Sequence, residues 1–156
     1  MRVLAPAKLN LGLRIVGRRP DGYHELESVF APIDLADELA IEIEEHSRGP
    51  AEVELELAGA DPEVPGGASN LAARAAREFL AAAGLRARVR IALAKRIPAA
   101  AGLGGGSSDA GAVLRALAGR WPAALRRDAL AALALGLGAD VPFFLDPRTA
   151  LVGGIG

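Results

Sequence analysis

Of the 18 basic residues in this 156-residue chain, 16 are arginines; the two lysines are Lys8 and Lys95. Each stands beside a segment that could do chemistry. Lys8 is two residues from Asn10, one of only two asparagines, and Lys95 precedes Arg96-Ile97-Pro98 and the run Gly102-Leu103-Gly104-Gly105-Gly106-Ser107-Ser108-Asp109. The chain has one tyrosine, Tyr23, next to one of its two histidines, His24, and it has no glutamine. A lysine is a compact point charge and an arginine a planar fork, so a chain that otherwise uses arginine keeps lysine where a crowded site needs the smaller head.

The run from Gly102 to Gly106 has four glycines in five residues, is approached from a strand pattern and leaves into a helix pattern. Such a loop cradles phosphate: glycine permits positive φ and close backbone approach, and the first-turn N–H groups of the helix point at an anion. Ser107 and Ser108 can cap that helix and add hydroxyl donors. No Gly-Lys-Ser/Thr follows, so the loop is not a Walker A loop, and its spacing breaks the dinucleotide fingerprint. Asp140, between Ala139 and Val141-Pro142, is odd as a surface charge; its plain reading is a loop cap. Lys8, on the polar face of a strand, reads by itself as solvated.

The elements that must position these groups follow from periodicity. Lys8 to Ile15 alternates, with Leu9, Leu11, Leu13 and Ile15 on the apolar face. Lys8 and Asn10 then sit ~6.6 Å apart on the polar face. His24 to Ile33, Leu39 to Ile43 and Val53 to Leu57 read as strands, the glutamates around the last two as the solvated face of an antiparallel sheet. Ser69 or Asn70 caps a helix that runs through Ala83 and stops at Gly84. A strand follows over Arg88 to Ala94 with Val89, Ile91 and Leu93 inward. Helices follow from Ser107 to about Ala118 and over Arg126 to Leu135, and a strand begins at Thr149 to Val152. Strands come first and helices follow, so the class is α+β.

Composition bounds the function. A formal net charge of -1 gives no basic excess for nucleic acid or an anionic membrane, and Arg86, Arg88 and Arg90 form only a short stripe read as a solvated strand face. With no cysteine there is no disulfide, thiol catalysis or cysteine-based zinc site. The apolar runs fall short of a spanning helix and the N-terminus lacks a signal-peptide core, so a cytoplasmic, soluble domain is expected.

Pro98-x-x-x-Gly102-Leu103-Gly104-Gly105-Gly106-Ser107-Ser108-Asp109 resembles the second signature of the GHMP kinases. Pro6-Ala7-Lys8-Leu9-Asn10-Leu11, Asp21-Gly22-Tyr23-His24-Glu25-Leu26 and Gly138-Ala139-Asp140-Val141-Pro142 are similar to the branch of that family acting on a cytidine-diphosphate-linked methylerythritol. The resemblance implies ATP- and Mg2+-dependent phosphorylation of that substrate's 2-hydroxyl in non-mevalonate isoprenoid synthesis. It implies Asp140 as the base, Lys8 as the group that holds it and the developing charge, and Asn10 as a substrate contact. Tyr23 and His24 correspond to the pair that recognises cytidine. Asn70, Lys95 and Pro98, with Gly102, Leu103, Gly104, Gly105, Gly106, Ser107 and Ser108, correspond to the ATP site. No residue is assigned to magnesium.

The implied fold is the N-terminal lobe, like domain 2 of ribosomal protein S5, over residues 1–156; the family's ferredoxin-like C-terminal lobe is absent from this sequence. A cleft with one wall excludes water poorly, so little turnover is expected of the chain by itself. The competing readings are another GHMP small-molecule kinase, against which the Asp-Gly-Tyr-His segment speaks, and a nucleotide-binding lobe without turnover.

Overall fold

The computed structural model describes residues 1–18, 24–46, 48–58 and 66–155. Its strands are β1 (Arg2–Arg18), β2 (His24–Glu45), β3 (Glu52–Ala58), β4 (Ala87–Ala94) and β5 (Ala150–Ile155), and its helices α1 (Leu71–Ala83), α2 (Gly105–Arg120) and α3 (Arg127–Leu137). One sheet runs in the order β1-β2-β4-β3, and β5 pairs with the other half of β2. The expected α+β class is what forms. The two strands read over 24–33 and 39–43 are one continuous β2. Its Glu38–Glu45 half pairs with β4 and its Glu25–Phe30 half with β5, both antiparallel.

The acidic rows are not set in a purely antiparallel sheet. β3 runs parallel to β4, in a register that sets Glu52 opposite Arg88 and Glu54 opposite Arg90. A parallel pair needs a crossover, and α1 supplies it. Glu52 meets Arg88 at 2.5 Å and Glu54 meets Arg90 at 3.3 Å, so the acidic row and the arginine stripe neutralise each other on the exposed face. Exposed pairs of this kind add little stability.

The core lies between the sheet and the helices. Leu39, Ile41, Val89, Ile91 and Leu93 pack against Phe79 and Leu80 of α1 and Val113, Leu114 and Leu117 of α2, all at most 1% exposed. Asn70 is the cap of α1, its Oδ1 accepting from the Ala72 N–H at 2.9 Å, and Gly84 ends the helix in the left-handed region at φ 63. No helix among the described residues is long and apolar enough to cross a membrane.

β1 departs from the expectation taken from its alternation. Leu11 is 64% exposed and Ile15 61%, whereas Lys8 is 4% exposed. Ala5 and Ala7 face the helix layer, and an irregularity between Pro6 and Lys8 breaks the alternation so that Lys8 turns inward beside them. Alternation says which residues share a face; what packs above the sheet decides which face is covered. Here α2 covers Ala5, Ala7 and Lys8, while Asn10, Gly12 and Arg14 stay exposed like Leu9 and Leu11.

Candidate active site

The glycine run is a turn held on both sides. Gly102 has φ +72 and Gly104 φ +73, a conformation that favours glycine. The Lys8 N–H donates to the Leu103 carbonyl at 2.9 Å, and the Ser108 hydroxyl donates to the Pro6 carbonyl at 2.7 Å, so the loop is fastened to β1. α2 begins at Gly105 with Gly104 as its cap, and Ser108 N–H bonds to the Gly104 carbonyl at 2.8 Å. The N–H groups of Gly105, Gly106 and Ser107 precede that bond and form the positive end of the helix.

Two expectations change here. Neither serine caps α2, because the helix starts two residues earlier. Ser108 is fully buried, and both its N–H and its hydroxyl have partners within the protein, so in this structure its hydroxyl points to Pro6 and not into the cavity.

The lysines stand on opposite sides of this turn. A Cβ on Gly104 would come within 3.3 Å of Lys8 Cε and 3.0 Å of the Phe144 ring, and a Cβ on Gly105 within 3.2 Å of Lys95 Nζ. Lys95 donates to Asp37 Oδ2 at 2.5 Å and to Asp109 Oδ2 at 2.8 Å, and its side chain is 9% exposed. Asp37 is fully buried; its other oxygen accepts the N–H groups of Arg96 at 2.5 Å and Ile97 at 2.8 Å, which shapes the approach to the glycine run.

Burial pushes the Asp109 carboxyl up; Lys95 opposes the rise and the Asp37 carboxylate adds to it, leaving the group at about 7. For Lys95, burial works downward, but the two carboxylates outweigh it and hold the ammonium above its ordinary value.

Lys8 is held differently. Its ammonium donates to Asn10 Oδ1 at 2.8 Å, lies 4.4 Å from the centre of the Phe30 ring, and meets Asp140 Oδ2 at 3.5 Å. Asp140 precedes the 3-10 turn Val141–Leu145 without capping it through its side chain, which is 36% exposed. A simple capping role therefore does not explain this residue. The 3-10 turn is pressed onto α2: a Cβ on Gly111 would lie 2.5 Å from Phe144 Cβ. That close approach sets Asp140 beside Lys8.

A cavity of about 410 Å³ opens along the loop, lined by Ser69, Asn70, Lys95, Pro98, Asp109 and the segment from Ala99 to Ser107. Its size suits a small-molecule ligand. Asn70, Lys95, Pro98 and the glycine run thus share one cavity, while Lys8, Asn10 and Asp140 lie across the Gly104 turn. Tyr23 lies outside the described residues. His24 opens β2 opposite Arg18, and its side chain is outside the described set.

The sequence reading missed Asp37, hidden in the acidic stretch Asp34 to Glu38, and Phe30, the ring beneath Lys8. The signal for Asp37 was the strand register: Glu38 pairs with Ala94, so the residue before it meets Lys95.

Residues 70–147 match the sequence profile of the GHMP kinases N terminal domain. The chain belongs to the GHMP kinase family, as its N-terminal domain. Among curated relatives, the 4-diphosphocytidyl-2-C-methyl-D-erythritol kinase of Thermus thermophilus is 53% identical over 156 residues, covering 100% of this chain and 51% of that protein. The kinase of the same name from Deinococcus radiodurans is 49% identical over 153 residues, covering 97% of this chain and 48% of its own length. A crystal structure of 4-(cytidine 5'-diphospho)-2C-methyl-D-erythritol kinase superposes with a TM-score of 0.81 at 52% identity, over 100% of this chain and 53% of the other. A mevalonate kinase structure at 17% identity and TM-score 0.58 shares the fold. The chain spans about half the length of the curated relatives it matches.

Proposed function

We propose that this chain is the ATP-binding and catalytic N-terminal lobe of a kinase that phosphorylates the 2-hydroxyl of 4-diphosphocytidyl-2-C-methyl-D-erythritol. The observation that carries the reading is the placement of both lysines on one glycine turn, with Asp140 3.5 Å from Lys8. Phosphoryl transfer asks a protein mainly for positioning and charge stabilisation. The turn and the N-terminus of α2 receive the phosphates, with Lys95 at their flank and Asn70 and Pro98 along the same cavity. Asp140 accepts the proton of the attacking hydroxyl; at 36% exposed it is open to a substrate.

Lys8 holds that carboxylate in place and offsets charge on the transferring group, while Asn10 fixes the ammonium and borders the substrate. Tyr23 and His24 recognise the cytidine, a role supported by the names of the relatives and by the Asp-Gly-Tyr-His segment. The described residues bring no three carboxylate or imidazole side chains together as a metal cage. Magnesium, when bound, would neutralise phosphate charge.

The test is ADP release with magnesium-ATP and the cytidine substrate, on the wild type and on Asp140→Ala. Slow turnover that Asp140→Ala removes, or calorimetric ATP binding without turnover, supports the reading; the second result would make the chain half of the enzyme. Turnover unchanged in Asp140→Ala contradicts Asp140 as base, and neither turnover nor binding contradicts the function.

A further inference from the structure

Two carboxylates and one ammonium, all nearly closed to water, make an unbalanced cluster against a loop shaped for an anion. Asp37 is 0% exposed, Asp109 2%, and the Lys95 side chain 9%. With all three ionised the cluster carries a surplus negative charge in a place of low dielectric, and two carboxylates in one site favour a proton on one of them. The two are not equivalent. Asp37 has three donors: the backbone N–H groups of Arg96 and Ile97, and Lys95. Asp109 has Lys95 on Oδ2, while its Oδ1 is buried with no partner. An ionised oxygen left without a donor is costly, and a protonated one can donate to Asp37.

We propose that Asp37 and Asp109 are the positioning pair that aims Lys95 at the glycine loop, and that Asp109 takes up a proton from solvent as a phosphate settles there. The proposal rests on the nucleotide reading above. It adds two residues to the site, one of them absent from the sequence reading, and a proton to the binding equilibrium. No covalent bond of the protein is made or broken except the O–H formed on Asp109.

The charges acting on Asp109 are those of Lys95 and Asp37. The next charged groups are occupied elsewhere. Glu38 and Arg96 pair with each other at 2.8 Å on the exposed side of the strands, Arg74 of α1 pairs with Glu78, and Lys8 lies across the turn with Asn10 and Asp140. The carboxyl of Asp109, at about 7 in the free protein, is half-ionised near neutral pH. A phosphate arriving beside it disfavours the ionised form, so binding draws in a proton above pH 7 and none well below it.

The experiment is calorimetric titration of magnesium-ATP into the wild type, Asp109→Asn and Asp37→Asn, from about pH 6 to about pH 8.5, in two buffers of different ionisation heat. Comparison at equal pH removes the titration of ATP itself. In the wild type, affinity falls about tenfold between pH 7 and pH 8.5 relative to Asp109→Asn, with close to one proton taken up per ATP at the upper end. Asp109→Asn, which keeps an acceptor for Lys95 and gains a donor toward Asp37, matches the wild type near pH 6 and binds more tightly near pH 8.5. Asp37→Asn moves the proton uptake to lower pH, because it removes the like charge; a role limited to folding predicts no such movement.

Equal pH dependence and proton counts in the wild type and Asp109→Asn overturn the proposal while leaving ATP binding intact. Absence of ATP binding in every folded variant at every pH overturns the nucleotide reading, and this inference with it. Carboxyl carbon NMR of the free wild type gives a check that needs no folded variant: a buried aspartate titrating near pH 7 is expected, and none above pH 5 contradicts it.

Discussion

Lys95 sits between two carboxylates that are closed to water, whereas Lys8 shares its ammonium among a neutral amide, a ring face and one carboxylate that reaches solvent. Lys8 is buried and Lys95 nearly so, and both flank one turn. The difference is in what each would leave behind. Without Lys95, Asp37 and Asp109 would be an uncompensated pair of buried acids. Without Lys8, Asp140 would still have water. Lys95 thus ties the glycine loop to the stability of the fold, and under the proposed function Lys8 is the lysine left to serve Asp140.

The largest expected effect breaks this contrast from the structural side. Lys95→Met is expected to cost about 3 kcal/mol in urea unfolding at neutral pH, since removing one partner of a buried pair strands the others. The pH dependence of stability sharpens it. Because the Asp109 carboxyl is raised to about 7 in the folded protein from an ordinary 3.8, the folded state holds a proton that the unfolded chain has lost. The stability this group contributes is full below about pH 4 and is lost as pH rises through 7. Asp109→Asn should therefore flatten the decline, and at pH 8 be the more stable protein by on the order of 2 kcal/mol.

Gly104→Ala comes next, at about 1–2 kcal/mol, from positive φ and the contacts with Phe144 and Lys8. Smallest is Lys8→Met, expected to change stability by less than about 1 kcal/mol because Asp140 is partly solvated. It should nevertheless lower ADP release at least ~100-fold. Equal stability losses for the two lysine variants would break the comparison.

Much of the site was legible because it rests on local backbone chemistry. A glycine run before a helix, Asn70 before α1 and Gly84 after it are signals carried by neighbouring residues, and each has its place in the structure. What was not legible depends on elements distant in sequence. Alternation puts Lys8 on a polar face, but only the irregularity after Pro6 and the packing of α2 show that Lys8 is covered while Leu11 is not. Asp37 looks like one more charge in an acidic stretch until the β2–β4 register brings it to Lys95. Glu52 and Glu54 read as solvated until the parallel β3–β4 pairing gives them Arg88 and Arg90. Ser108 shows the same limit, its hydroxyl taken by Pro6 from 102 positions away.

Under the proposed function, the turn between the two lysines receives the phosphates of ATP. The most direct test is an amide NMR titration of the wild-type chain with magnesium-ATP. The largest shifts are expected on Gly105, Gly106 and Ser107, with Lys95 and Asn70 following. Saturable shifts confined to another surface, such as the groove at Arg126, Arg127 and Ala131, would contradict it.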